Sequence, residues 1–257
     1  MKKYHLFSFL GLISALIVLT CAPAFARSVD AGLGSARLPD GSVYTGEFRR
    51  GFFNGHGRLT WPDGSVFEGS FRDGVRSGPG REVSRAGWTY EGGFVNGLEN
   101  GRGRLAWKNG DFYEGDFRNG HPEGQGTFTG HDGEVYRGEF KAGLYNGKGV
   151  LNASDGSVTT GEFKDGQASG KGTTVYPNGD RYAGEYRNGY RNGMGALLFG
   201  NGDSYEGGFK DDQFDGYGRY TFADSGEVEE GRWRQGELSD GDGDVEFPRA
   251  STVPLHL

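Results

Sequence analysis

The chain is poor in the residues on which covalent and metal chemistry depends. Its 257 residues include one cysteine, five histidines and two methionines. The cysteine, Cys21, falls within the opening segment, and from Arg27 onward there is no thiol. Disulfide frameworks and cysteine–metal sites are therefore excluded for that part of the chain. An excess of positive charge is also missing, since 28 basic residues face 35 acidic ones for a formal net charge of −7. Nucleic acid is excluded as a partner on that balance, and long-range attraction to anionic lipid has the wrong sign. Long apolar runs are absent apart from Leu6 to Thr20, which is short for a membrane span.

That single run belongs to the opening "MKKYHLFSFLGLISALIVLTCAPAFA". Two lysines precede it, and Ala24 and Ala26 stand at the −3 and −1 positions before Arg27, the layout of a secretory signal peptide over residues 1–26. An uncleaved anchor and a lipoprotein signal using Cys21 after "VLT" are the alternatives. The expected location is export, to a periplasm or the outside. Without residues 1–26 the chain keeps 26 basic against 35 acidic residues.

What the sequence has in quantity is glycine, 51 residues of it, set among aromatics, as in "YTGEFRRGFFNGHGRLTWPDGSV" from Tyr44 to Val66. Glycine is costly to order and gives a core nothing to pack. The pattern restarts at Phe67, Tyr90, Tyr113, Tyr136, Thr159, Tyr182 and Tyr205, every 23 residues. Counting the first residue of a repeat as position 0, glycines recur at positions 2, 7, 11, 13 and 20 and an aromatic at position 4. Asp212 departs from the pattern at position 7, and one residue is inserted before Gly226. The organisation read from this period is an array over 27–243. It has a half repeat at 32–43, full repeats at 44–66, 67–89, 90–112, 113–135, 136–158, 159–181, 182–204 and 205–228, and a partial repeat at 229–243. A tail, 244–257, follows.

Stretches such as "YEGDFRNGHPEGQGTFTGHDG" and "YAGEYRNGYRNGMGALLFGNG" resemble the MORN repeat family. The resemblance implies an all-β fold, one hairpin per repeat, stacked into an elongated, twisted, single-layer antiparallel sheet. It also implies an aromatic face that takes up an extended partner segment, and possible self-association.

The residues agree with that fold. "YTGEF" and "GHGRLTW" alternate in period two and are separated by glycine turns. Pairing position 4 with position 13 sets Phe48 opposite Gly57, Gly46 opposite Leu59 and Tyr44 opposite Trp61, so that bare glycine leaves room for neighbouring rings. On the other face, acids at position 3 (Glu47, Asp116, Glu139, Glu162, Glu185) stand beside bases at position 5 (Arg49, Arg72, Arg118, Lys141) and read as a solvated ladder. Two copies look degenerate: "REVSRAG", with Glu82 and Ser84 at ring-face positions, and "NASDGSVTT", with Ala153 and Thr159. A break or bend is expected near 152–160.

No catalytic constellation is visible. His56, His121 and His131 fall at different repeat positions, without metal or triad spacing, and read as ordinary surface residues. Asp240, Asp242 and Asp244 begin like a calcium loop, but Val245 and Ser251 stand where glycine and glutamate are needed. No cofactor, no metal and no enzyme activity are expected. The expected function is a non-catalytic envelope scaffold that binds a protein partner along the aromatic face. The candidate contact residues are Tyr44, Trp61, Tyr90, Trp107, Tyr113, Tyr136, Tyr182, Phe199 and Tyr205. Binding to membrane lipid or envelope glycan is the alternative.

Overall fold

The computed structural model describes residues 30–239. The expected signal peptide with Cys21, and the tail with Asp240, Asp242 and Asp244, lie outside the described residues. Within them the chain forms a 19-stranded antiparallel sheet in which strands adjacent in sequence are hydrogen-bonded. It divides into two compact units, residues 30–131 with 140–143, and 132–139 with 144–239. Both are built from the same hairpin.

Each hairpin closes through a two-residue turn. Arg49 pairs with Phe52, and the intervening Arg50 and Gly51 both have positive φ, 51° and 75°. That backbone matches the twist of the flanking strands and favours Asn-Gly, which the chain supplies at Asn96-Gly97, Asn119-Gly120 and Asn188-Gly189. Ala142 and Gln235 hold the same conformation (φ 48° and 52°) without the side chain that suits it.

Beyond the turn the ladder slips. Phe48 pairs with Phe53, but Gly46 pairs with Gly57 and Tyr44 with Leu59, so a bulge separates the two segments. The expected register, Phe48 opposite Gly57 and Tyr44 opposite Trp61, is therefore corrected. The tight turn and the bulge together set the pairing, and neither was counted in the alternation. Gly55 takes the left-handed conformation (φ 63°) that the bulge needs, and the Glu47 carboxylate folds over it to accept the His56 N–H at 2.9 Å. Asp116 does the same for Gln125 (3.2 Å) and Glu139 for Lys148 (3.2 Å). The position-3 acids thus brace the bulge, which corrects their reading as a purely solvated ladder.

The glycine pair at positions 2 and 13 explains the composition. A Cβ on Gly57 would run into the ring of Tyr44, and one on Gly46 would meet both that ring and the Gly57 backbone. The ring that occupies the space belongs to the same hairpin. Its hydroxyl donates to the Glu47 carbonyl at 2.8 Å, tying the bulge from inside. The ring also stacks on Phe53 (3.8 Å, 13°) and meets Phe48 and Phe71 edge-on at 5.2 and 5.0 Å. In the second unit Tyr205 repeats the motif, stacked on Phe214 at 3.7 Å and edge-on to Phe209 and Trp233. The edge-to-face contacts are the favoured ring geometry.

Two further kinds of bond join repeats to their neighbours, the second of them in some repeats only. Turn glycines donate to a carbonyl of the preceding repeat, as in Gly74 to Phe53 (2.9 Å) and Gly166 to Tyr145 (3.0 Å). Position 21 accepts an N–H from the following inter-repeat turn: Ser65 from Arg85, Asp111 from His131, Asp180 from Gly200 and Asp203 from Ala223. The break expected near 152–160 is absent. Gly147 to Asn152 pair without interruption with Phe163 to Val158, and Thr159 faces Thr174 with their hydroxyls 2.8 Å apart.

Candidate interaction surface

The structure sorts the nine sequence-derived contact residues into two groups. Tyr44, Tyr90, Tyr113, Tyr136, Tyr182 and Tyr205 are at most 1% exposed. Their rings are enclosed, so in this conformation they build the sheet's covered face and present no contact area. Burial pushes their hydroxyls upward from the usual tyrosine value, for Tyr44 to about 12. Trp61, Trp107 and Phe199, at position 17, are half-buried at the start of the inter-repeat turn.

Position 17 is held there by the turn itself. The Trp61 N–H donates to the Ser65 carbonyl at 2.9 Å, its carbonyl accepts the Gly64 N–H at 3.0 Å, and Asp63 accepts the Ser65 N–H at 2.8 Å. Equivalent turns carry Tyr176 and Phe222, also half-buried, which the sequence reading did not single out. Their signal was present, since both sit one period from a ring already chosen. Tilted ring contacts support this tier from below: Trp107 with Phe128 (6.3 Å), Phe199 with Tyr220 (5.7 Å) and Tyr220 with Phe222 (4.8 Å).

Charge inside the covered face was not legible. Glu82, read as a weak point, is buried against Arg76, with which it forms an ion pair and hydrogen bond. The Arg76 guanidinium also lies over the rings of Trp61, Phe67 and Phe94 at 5.6, 5.3 and 5.1 Å. Burial raises the Glu82 carboxyl above its ordinary value despite the pull of Arg76. Asp212, the departure at the turn-glycine position, has a similar logic: its carboxylate accepts from the backbone N–H and Nε of Arg191 (2.9 and 3.2 Å). His131, expected to be an ordinary surface residue, is fixed by Asp111, whose Oδ1 lies 2.9 Å from its backbone nitrogen and 2.6 Å from its Nδ1. Burial pushes the Asp111 carboxyl up, but those two contacts and the Asn109 amide outweigh it and hold it below the usual range.

The opposite face carries exposed ion pairs, Arg102–Asp116 and Arg104–Glu114 at 3.1 Å and Arg219–Glu230 at 3.3 Å. Each contributes about 0.2–1 kcal/mol. Among the described residues no group of three or more His, Cys, Asp or Glu side chains is placed to hold a metal ion.

A glycine-punctuated array of bulged β-hairpins, with a sealed tyrosine row and a half-open ring tier, defines a repeat protein in which one 23-residue unit does the same structural task throughout. The chain belongs to the MORN repeat family, whose repeat matches residues 44–66, 67–89, 90–112, 113–135, 136–158, 160–181, 182–204 and 205–227. No curated protein sequence matches it. Among solved structures it is similar to the wild-type TCP10 domain of Danio rerio CPAP, at 12% identity over 76% of this chain and 91% of that one, with a TM-score of 0.41. The same domain in complex with a peptide of Danio rerio STIL matches at 15% identity over 79% and 100% of the two chains, with a TM-score of 0.37. The SAS-4 (dCPAP) TCP domain of Drosophila melanogaster, in complex with a proline-rich motif of Ana2 (dSTIL), matches at 13% identity over 72% and 94%, also with a TM-score of 0.37.

Proposed function

We propose that this protein is a non-catalytic repeat scaffold that binds an extended segment of a protein partner along its position-17 rings, and that it works in the cell envelope after export. The observation that carries the reading is the contrast in exposure. The tyrosine row is sealed, whereas Trp61 and Trp107 in one unit, and Tyr176, Phe199 and Phe222 in the other, are only half-buried; the remaining repeats carry Ser84, Gly130 and Ala153 at this position. Half-buried aromatics on a rigid support lose little freedom on binding and supply the anchors that dominate protein interfaces. Location in the envelope is supported by the signal-peptide pattern of residues 1–26.

The test places a photo-crosslinking residue at Phe199, and as control at Lys210 on the ionic face, in the exported protein. A discrete protein adduct at Phe199 and none at Lys210 is expected. An adduct to a second copy of this chain would assign the tier to self-association. Lipid or glycan adducts alone, or none at either position, would remove the protein-scaffold reading.

A further inference from the structure

Six of the eight full repeats begin with tyrosine and one with phenylalanine, whereas the repeat at 159 begins with threonine. Its neighbours on the covered face are reduced as well. Ala168 stands where other repeats have Phe53, Tyr145 or Phe214, and Thr174 where they have Leu59, Leu105 or Leu197. No tyrosine of the same hairpin covers Gly172; the nearest atoms a Cβ there would meet are the Thr160 carbonyl at 3.1 Å and the Tyr186 ring at 3.3 Å. The space left is a solvent-open cavity of about 480 Å³ within the 144–239 unit. Small-molecule sites span about 300–1,000 Å³.

Its lining is unlike that of the rest of the face. Phe163, Tyr176 and Tyr186 supply ring walls, and between them runs a hydroxyl chain, Thr159 Oγ1 to Thr174 Oγ1 (2.8 Å) to the Tyr186 hydroxyl (2.6 Å). Three hydroxyls joined by two hydrogen bonds use two of their three protons, so one hydroxyl of the chain always has an O–H left to donate. Thr174 and Tyr186 are 4% and 8% exposed, where unsatisfied polar groups are costly.

The charged groups at the rim narrow the ligand. Arg191 is held by Asp212 and lies over the rings of Tyr182 and Phe209. Asp180 accepts from the Gly200 N–H and the Asn178 amide, and Asp155 from Ser157. Neither a free cation for an anionic ligand nor a set of free carboxylates for a metal ion remains. The balance of Asp155, Asp180 and Asp212 against Arg191 disfavours anions further.

We propose that this cavity binds a neutral sugar unit, with the rings packing against its C–H faces and the hydroxyl chain exchanging hydrogen bonds with its hydroxyls. The cavity shares one ring, Tyr176, with the partner tier, but the crosslinker at Phe199 lies outside the cavity lining, so the two tests read the two sites apart and the failure of either reading leaves the other standing.

The test is calorimetric titration of the full chain with maltose and with N,N′-diacetylchitobiose, and with glucuronate as an anionic control. Saturable binding of at least one neutral disaccharide and none of glucuronate is expected. Thr159→Tyr, which restores the residue of the other repeats, should weaken binding about tenfold or more by filling the space, and Tyr186→Phe should weaken it several-fold. Thr174→Leu, again a residue this repeat position already accepts, provides a second filled variant if Thr159→Tyr does not fold. Absence of saturable sugar binding, equal binding of glucuronate, or binding undiminished in a folded filled variant would overturn the assignment.

Discussion

The tyrosine at position 0 does three things with one side chain: it covers two glycines, meets the rings of adjacent strands and ties the bulge through its hydroxyl. Tyr113 shows the last clearly, donating to the Asp116 carbonyl at 3.0 Å. Tyr113→Phe keeps the ring and orphans that carbonyl, so a loss of about 0.5–1.5 kcal/mol is expected in urea unfolding. Gly126→Ala forces a methyl into the same ring and should cost at least about 1–3 kcal/mol. The raised hydroxyls also give the protein an alkaline limit. Above about pH 10 the unfolded chain loses tyrosine protons that the folded chain retains, so stability falls as pH rises. Urea midpoints measured at about pH 9 and about pH 11 should show that fall, with a shallower slope in Tyr113→Phe. Of this the sequence revealed that glycine makes room for rings. It did not reveal which ring, because the answer depends on a bulge that alternation does not encode.

At the scale of the hairpin and its neighbour, departures from the repeat are compensated in pairs. Arg76 and Glu82 replace a ring and a leucine found elsewhere, and each stabilises the other in a buried place. Glu82→Leu alone strands the guanidinium and should cost about 3–5 kcal/mol, whereas Arg76→Phe with Glu82→Leu should be neutral or stabilising by about 1–4 kcal/mol. A double-mutant cycle reads the difference. Asp111 ties two turns through His131 and Asn109. Because its carboxyl is held below the ordinary value of about 3.9, its contribution is present above that pH and is lost as pH falls through the folded value. Asp111→Ala should cost about 1–3 kcal/mol near neutral pH and flatten the acid limb of the stability curve. These couplings were hidden in the sequence since each joins residues that look like isolated exceptions, six positions apart for Arg76 and Glu82 and 20 for Asp111 and His131. The repeat itself was plain, because a stack of identical hairpins needs glycine at the same place in every copy, and the 23-residue spacing writes that need out directly.

Within each unit, contact runs chiefly between strands adjacent in sequence, so stability is local by construction. In hydrogen exchange, Gly57→Ala is expected to lower protection in the strands around Val43–Arg49 and Phe52–Thr60 and to leave Ser204–Lys210 and Gln213–Thr221 nearly unchanged. A uniform loss throughout would show instead that the array opens as one cooperative body. The nearest-neighbour plan has another result, seen in the residue inserted before Gly226. The loop takes it up, with Gly226 still donating to the Phe222 carbonyl at 2.9 Å, Phe222 to that of Glu227 at 3.0 Å, and the next strand pairing Gly218 with Gly231 in register. Small insertions are tolerated at that corner, whereas one between the paired glycines would turn every following side chain of the strand to the wrong face. Heritable changes in the length of this protein should therefore come as whole 23-residue modules or as single residues at the inter-repeat corners.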